Sequence, residues 1–115
     1  MTVKLMVFTA DKLIGVSDIN MKDRVEKHEG FFGITVAQEY RGEGVGKLLM
    51  HYTLQEAEKE LPDLRIVTLG VFGHNDLAMN MYKQFGFTEH GRLPQGIIHK
   101  GNYYDHIFMY KKIRD

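Results

Sequence analysis

Residues 31–52 read FFGITVAQEYRGEGVGKLLMHY and join a strand, a glycine-rich turn and a helix. The first seven residues are apolar, aromatic or β-branched, which predicts a strand buried on both faces. From residue 45 apolar side chains recur at i, i+3, i+4 and i+7, which predicts an amphipathic helix. Its predicted buried face comprises Val45, Leu48, Leu49 and Tyr52. The glycines between strand and helix favour a backbone that approaches another group closely.

The sequence before and after this stretch predicts more strands. Residues 3–8 and 13–19 predict an antiparallel hairpin. Residues 65–72, RIVTLGVF, predict another buried strand, parallel to the first because a helix connects the two. The two runs around the KGN turn at 100–102 predict a closing hairpin.

A second helix is predicted between Asn75, a favourable N-cap, and Gly86, which fits the left-handed position after a helix. Its apolar stripe comprises Ala78, Met81, Tyr82 and Phe85. These elements predict an α+β fold: a mixed, mostly antiparallel sheet with a central parallel β-α-β unit and helices packed on it. With 115 residues the chain is expected to form a single domain, 1–115.

Composition excludes several functional classes. Lys plus Arg and Asp plus Glu both number 15, so no overall field favours nucleic acid or an anionic membrane as a partner. The absence of cysteine excludes disulfides and a covalent cysteine mechanism. Without a signal-peptide pattern or a long apolar run, the sequence predicts a cytoplasmic protein. The six histidines lack H-x-x-x-H and H-E-x-x-H spacing, so we expect no metal site.

The glycine-rich turn has two interpretations on its own. It could bind phosphate through main-chain N–H groups at a helix N-terminus, or it could simply connect a strand to a helix. The nucleotide motif G-x-x-x-x-G-K-[ST] does not fit, because Arg41 and Leu48 occupy required positions. The dinucleotide motif G-x-G-x-x-G does not fit either, because Leu49 replaces the third glycine.

The spacing that does fit is Arg41-x-x-Gly44-x-Gly46 between a strand and a helix. In this the sequence resembles the GNAT superfamily of acetyl-coenzyme A-dependent N-acetyltransferases. NDLAMNMYKQFGF at 75–87 is similar to the family helix N-x-x-A-x-x-x-Y-x-x-x-G-F, and GNYYDHIFM at 101–109 is similar to a common C-terminal pattern. Relative to that family, the chain is expected to lack the usual first strand and two helices.

The resemblance implies acetyl-coenzyme A (acetyl-CoA) as co-substrate and implies which residues bind it. The strand before the turn would pair with the pantetheine arm, the turn amides would hold the pyrophosphate, and Asn75 would contact the arm. Lys47 could instead be a solvated helix residue, and Asn75 a simple N-cap. The implied binding residues are Ile34, Thr35, Val36, Arg41, Gly42, Gly44, Val45, Gly46, Lys47 and Asn75.

The resemblance also implies direct attack of an amine on the thioester. Tyr82 matches the tyrosine that protonates the departing thiolate, a role suited to a phenol with a pKa of about 10, although it could also serve only in packing. Phe31 stands where many members place a glutamate base, and Glu29, on the same strand face, is the predicted substitute. Asp105 and His106 are further candidates on the acceptor side.

The predicted function is therefore transfer of acetyl from acetyl-CoA to a primary amine of a small molecule or protein. Phe31 at the usual base position, together with the short N-terminal part, leaves a non-catalytic acyl-CoA-binding or interaction module as the alternative. An unpaired sheet edge would also favour a homodimer.

Overall fold

The computed structural model describes residues 1–114, which form six strands and two α-helices. The strands are β1 (Thr2–Thr9), β2 (Lys12–Met21), β3 (Glu29–Val36), β4 (Ile66–Phe72), β5 (Thr88–His99) and β6 (Asn102–Lys112). The helices are α1 (Val45–Glu60) and α2 (Asp76–Gln84). Single turns of 3₁₀-helix lie at Arg24–Glu26 and Gln38–Tyr40.

The strands form one sheet in the order β1-β2-β3-β4-β6-β5. Only the β3–β4 pair is parallel, and α1 connects these two strands. The other four neighbouring pairs are antiparallel. The predicted α+β class and the central parallel β-α-β unit are confirmed.

The parallel strands β3 and β4 pair over only part of their length. The paired residues are Glu29–Phe31 against Ile66–Thr68. Beyond them the strands diverge, so residues 32–36 of β3 and 69–72 of β4 do not pair with each other. We call this gap the cleft. It opens toward the glycine-rich turn because β3 leads directly into that turn.

Both helices pack against one face of the sheet, which we call the inner face. The buried side chains form one cluster that joins α1, α2 and every strand but β5. Its members are Val3, Ile19, Phe32, Met50, Leu54, Ala57, Leu61, Leu64, Val67, Leu69, Val71, Tyr82, Phe87, Ile107 and Met109. This core holds β3 and β4 in place on both sides of the cleft.

The face of α1 that enters the core differs from the predicted one. Leu48 and Tyr52 remain 47% and 49% exposed. The buried residues of α1 are Leu49, Met50, Thr53, Leu54 and Ala57. Apolar residues occupy more than half of the helix circumference, so periodicity alone does not choose between two adjacent stripes. Packing across β1, β2 and β3 selects the stripe centred on Met50 and Leu54.

The prediction that β3 and β4 are buried on both faces is also wrong. Exposure alternates along β3, where Phe32 is 3% exposed and Phe31 is 47% exposed. Phe31 lies on the side of the sheet opposite α1 and α2, which we call the open face. Strand alternation and register place on this face Glu29, Gly33, Thr35, Thr68, Gly70, Phe72, His106, Phe108 and Tyr110.

The predicted helix ends and the closing turn are confirmed. Asn75 Oδ1 accepts a hydrogen bond of 3.1 Å from the Ala78 N–H, as an N-cap should. Gly86 has φ +93°, the left-handed conformation expected after a helix. Lys100 and Gly101 also have positive φ, +51° and +80°, as a two-residue hairpin turn requires.

Candidate active site

The main chain of β3 is directed into the cleft at alternate residues. The Ala37 N–H donates to the Ile14 carbonyl at 2.8 Å, and the Lys22 N–H donates to the Glu29 carbonyl at 2.9 Å. Odd-numbered residues of β3 therefore bond to β2, and even-numbered residues point toward β4.

This alternation decides which predicted main-chain contacts are available to a ligand. Ile34 presents its N–H and carbonyl groups along the cleft, as a strand-like ligand would need, and Val36 presents its N–H, while the Val36 carbonyl accepts a hydrogen bond from Arg41. Thr35 pairs with Val16 of β2, so the geometry does not support its predicted main-chain contact. Phe32, which sequence analysis missed, has the same orientation as Ile34. Counting the β2–β3 register backward from the turn would have identified it.

The glycine-rich turn contains two left-handed residues at the start of α1. Gly42 has φ +83° and Gly44 has φ +85°, so both positions require glycine for backbone reasons. A Cβ at either position would meet no atom within 4 Å, and the turn is therefore open to a ligand. Gly44 is the N-cap of α1 and supplies no side-chain acceptor. The N–H groups of the first helical turn consequently remain available.

Two basic residues, Arg41 and Lys47, flank these free N–H groups, and Glu43 is the one acidic residue of the turn. The first turn of α1 contains no acidic residue, so the positive end of the helix dipole is not neutralised there. Lys47 is exposed, and no carboxylate of residues 1–114 lies within 4.0 Å of its Nζ atom. Arg41 Nε donates to the Val36 carbonyl at 3.2 Å, which holds the guanidinium beside the end of β3. Val45 and Gly46 complete the predicted anion site.

Asn75 lies at the opposite side of the cleft, between β4 and α2. Its Oδ1 atom caps α2, while its Nδ2 amide has no protein partner among residues 1–114. The N-cap interpretation is therefore correct, and the amide N–H groups are still free to contact a ligand.

Tyr82 projects from α2 into the inner face. Its side chain is 6% exposed and packs edge-on against Phe32, with ring centroids 6.4 Å apart, and against Phe87 at 6.2 Å. The hydroxyl forms no hydrogen bond within the described residues. Burial raises the pKa of Tyr82 above its usual value, so the phenol stays protonated at neutral pH. The group thus has the protonation state of a general acid.

The raised pKa of Tyr82 predicts a loss of stability at high pH. The folded protein holds this proton more tightly than the unfolded chain, so the stabilisation is full below about pH 10 and is lost as the pH rises further. We expect the free energy of unfolding, measured with urea, to fall less between pH 8 and 11 in Tyr82→Phe than in the wild type. An equal fall in both proteins would contradict the assignment to Tyr82.

The predicted base Glu29 lies where β3 and β4 still pair, before the cleft begins. Its Oε1 accepts a hydrogen bond of 2.9 Å from Lys22 Nζ, which forms an ion pair with it. Asp105, the second acidic candidate, is bound to Arg92 Nη1 at 3.0 Å and to the Gln95 N–H at 3.2 Å. Arg92 and then the Gln95 N–H lower the pKa of Asp105. Both carboxylates therefore already have partners in the folded chain.

The arrangement of ionisable side chains and the length of the helices bear on metal binding and membrane insertion. Within residues 1–114, no three His, Asp or Glu side chains are arranged to hold a metal ion. Neither α1 nor α2 has the length and apolar character needed to cross a bilayer.

Comparisons with known proteins agree with this geometry. The family model described as Acetyltransferase (GNAT) family matches residues 3–87. L-amino acid N-acetyltransferase AaaT of Escherichia coli (strain K12) is 30% identical over 98 residues, which cover 84% of this chain and 60% of AaaT. YwnH of Bacillus subtilis (strain 168) is 36% identical over 74 residues, which cover 63% of this chain and 43% of YwnH.

Solved structures of acetyltransferases are also similar to this chain. A GNAT-family acetyltransferase from Streptococcus pneumoniae superposes with a TM-score of 0.88 at 28% identity, over 97% of this chain and 67% of that one. yncA of Salmonella typhimurium, solved with its cofactor acetyl-CoA, has a TM-score of 0.86 at 18% identity and covers 97% and 65% of the two chains. The chain spans 43% and 60% of the two curated relatives named above. Since the family model covers most of the chain, including the glycine-rich turn and α2, this protein belongs to the Acetyltransferase (GNAT) family.

Proposed function

We propose that this protein is an N-acetyltransferase that moves acetyl from acetyl-CoA to a primary amine of a small molecule or protein. The observation that carries this proposal is the cleft. Its β3 side offers main-chain groups that pair with no strand, namely the Phe32 carbonyl, the N–H and carbonyl of Ile34 and the Val36 N–H, and it opens onto the free N–H groups of α1. An extended amide-containing arm that ends in a pyrophosphate matches both features.

In the proposed complex each binding residue has a separate task. Ile34 and Val36 pair with the pantetheine arm, and the amides of residues 42–47 hold the pyrophosphate, with charge added by Arg41 and Lys47. Asn75 contributes its free amide to the arm. AaaT, named an L-amino acid N-acetyltransferase, and yncA, solved with acetyl-CoA, support this assignment by family relationship.

The proposed reaction is direct transfer. The neutral amine nitrogen attacks the thioester carbonyl carbon and loses one proton to a base or water as the C–N bond forms, and the C–S bond breaks with its electron pair on sulfur. Tyr82 then donates its phenolic proton to that sulfur. The raised pKa of Tyr82 favours this role because the proton is present at neutral pH.

Binding of acetyl-CoA is the first test. We expect calorimetry at micromolar protein to detect acetyl-CoA binding, and Gly44→Ala to weaken it about tenfold, since a left-handed Cβ costs roughly 1–3 kcal/mol and moves the α1 amides. Gly101→Ala is the matched control, because Gly101 has a similar φ and an equally open surrounding but lies in the distant hairpin turn. Its affinity should equal that of the wild type.

A measurement of catalytic turnover distinguishes an N-acetyltransferase from a module that only binds acyl-CoA. Release of free thiol in the presence of a primary amine would support the enzyme. Binding without thiol release across a broad amine panel would instead favour the non-catalytic acyl-CoA-binding module. Failure of the wild type to bind acetyl-CoA at millimolar concentration would contradict both.

We further propose that the protein forms a homodimer through the free edge of β1 and acts in the cytoplasm. β1 pairs only with β2, and beside its free edge runs an apolar groove lined by Leu5, Val7, Leu48 and Tyr52. Addition of a strand from a second copy would pair the edge and cover these side chains. Sedimentation should then give twice the chain mass, and Leu48→Glu should give a monomer.

The proposed location in the cytoplasm rests on composition. The lack of cysteine suits a reducing compartment.

A further inference from the structure

Two glycines face each other across the start of the cleft on the open face. Phe31 and Thr68 are the last paired residues of β3 and β4. Two residues beyond them lie Gly33 on β3 and Gly70 on β4, both on the open face because side chains alternate.

Each of these glycines is covered by an ionisable side chain from the neighbouring outer strand. A Cβ at Gly70 would overlap the Nε2 atom of His106, which lies on β6. A Cβ at Gly33 would lie only 3.2 Å from Oδ1 of Asp18, which is directly opposite it on β2. Because Gly33 and Gly70 have no side chains, the Asp18 carboxylate and the His106 imidazole can extend over them toward the cleft from its two sides.

Both side chains still have atoms in the folded chain that can form further hydrogen bonds. The His106 ring packs at a tilt against Phe108, with centroids 4.2 Å apart and an interplanar angle of 39°, and neither ring nitrogen has a hydrogen-bond partner in residues 1–114. Asp18 accepts one hydrogen bond, 3.1 Å from Asn20 Nδ2 to Oδ1. Lys4 is opposite Asp18 on β1, yet no cation of the described chain lies within 4.0 Å of this carboxylate.

Thr68 supplies an independent indication that a polar ligand belongs here. Its Oγ1 atom is buried and lacks a hydrogen-bond partner among the described residues. An unpaired buried hydroxyl costs about 1–3 kcal/mol, so a native chain keeps one where a ligand or water can reach it. Thr68 lies at the closed end of the cleft, next to Gly70 on the same face.

We propose that Asp18 and His106 form the acceptor subsite, in which Asp18 holds the ammonium form of a cationic primary amine and His106 accepts the protons that the nitrogen must lose. This inference rests on the proposed function. Tyr82 reaches the cleft from the inner face, so the proton acceptor and the proton donor stand on opposite faces of the sheet. The amine accordingly enters from the open face.

The proton balance of the subsite is complete. The ammonium nitrogen loses two protons in each turnover. It first gives one to a neutral imidazole nitrogen of His106, which passes it to solvent, so that the neutral amine can attack. A second proton leaves the nitrogen for His106 as the C–N bond forms, and His106 becomes imidazolium. Tyr82 gives one proton to the sulfur as the C–S bond breaks. The half-buried His106 side chain lies on the open face and returns its proton to solvent. Tyr82 takes up a proton again, so the protein is unchanged after each turnover.

The first test compares His106→Gln and Gly70→Ala. We expect His106→Gln to lower kcat at least 10²-fold and to remove the acidic limb of the kcat/KM profile, with the KM for acetyl-CoA unchanged. Gly70→Ala should reproduce both effects although His106 is still present, because the new Cβ displaces its ring. Gly91→Ala is the control, since its Cβ would make only an ordinary 3.6 Å contact with Phe108.

The pH profile must be interpreted against the other titratable groups on the open face. Those from the surrounding elements are Lys4, Asp18, Glu29, His74, His90, His99, Tyr104, Tyr110 and Lys112. Loss of the acidic limb in both His106→Gln and Gly70→Ala would assign it to His106 rather than to these neighbours.

The second test concerns Asp18. We expect Asp18→Asn to raise the KM for an alkylammonium acceptor about tenfold while kcat changes little. The same variant should leave the KM for aniline, which is uncharged at pH 7, unchanged. Equal losses for both amines would overturn the role of Asp18 in holding charge.

The outcomes separate this inference from the proposed function. If the wild type turns over and His106→Gln retains kcat within twofold, only the inference fails. It also fails if Glu29→Gln, and not His106→Gln, removes the acidic limb. If the wild type binds no acetyl-CoA or releases no thiol, the proposed function and this inference fail together.

Discussion

Replacing Tyr82 with phenylalanine should lower kcat about 10²–10³-fold while the affinity for acetyl-CoA changes less than twofold. General acids contribute about 10²–10⁴-fold to proton-transfer steps, and the only atom removed is the hydroxyl oxygen with its proton. Because the ring remains, its contacts with Phe32 and Phe87 are kept. Single-turnover kinetics with a fast-reacting amine would report the chemical step directly.

A packing role for Tyr82 gives the opposite result. The hydroxyl makes no hydrogen bond within residues 1–114, so its removal should leave the melting temperature almost unchanged. An unchanged kcat in this variant would therefore identify Tyr82 as a core residue only. Thiols with lower pKa leave more readily without a proton, so a thioester of such a thiol should partly restore the rate of Tyr82→Phe.

Replacing Met50 with alanine should destabilise the fold by about 2–5 kcal/mol, because Met50 is fully buried between α1 and the sheet. Leu48→Ala removes a similar volume from the same helix, but Leu48 is 47% exposed. We expect this matched variant to cost less than about 1 kcal/mol in the monomer, so both variants are compared at protein concentrations at which sedimentation gives a monomer. Urea unfolding with a constant m-value measures both.

The comparison of Met50 with Leu48 tests the orientation of α1. If Leu48→Ala proved the more damaging, the helix would present the stripe that periodicity predicts and not the stripe observed in the structure. Since α1 carries the free N–H groups of the candidate pyrophosphate site at its first turn, its orientation also determines where those groups point. The stability experiment thus bears on the site as well as on the core.

Local sequence signals predicted most of the elements. Both hairpins, the two helices and the parallel β-α-β unit follow from side-chain periodicity, Asn75 and Gly86 as caps, and the KGN turn. These signals act within a few residues, so they can be read from the chain directly. The GNAT family motifs at 41–46 and 75–87 lie in the same local segments, which is why the family was recognisable.

The candidate site was predicted less completely because it depends on register. Ile34 and Val36 point into the cleft, whereas Thr35 points to β2, and this alternation is fixed only by pairing with a distant strand. Phe32 was missed for the same reason. Glu29 was placed on the correct strand face, but its ion pair with Lys22 required knowledge of the β2–β3 connection.

By itself, the sequence determined the order and type of the elements, the left-handed glycine after α2, and the family to which the chain belongs. Only the tertiary structure decided which stripe of α1 is buried, where β3 and β4 separate, and which side chains stand beside the cleft. Asp18, His106, Gly33 and Gly70 are far apart in sequence and carry no common motif. Their proximity comes from sheet register and strand divergence, which depend on the packing of the whole core.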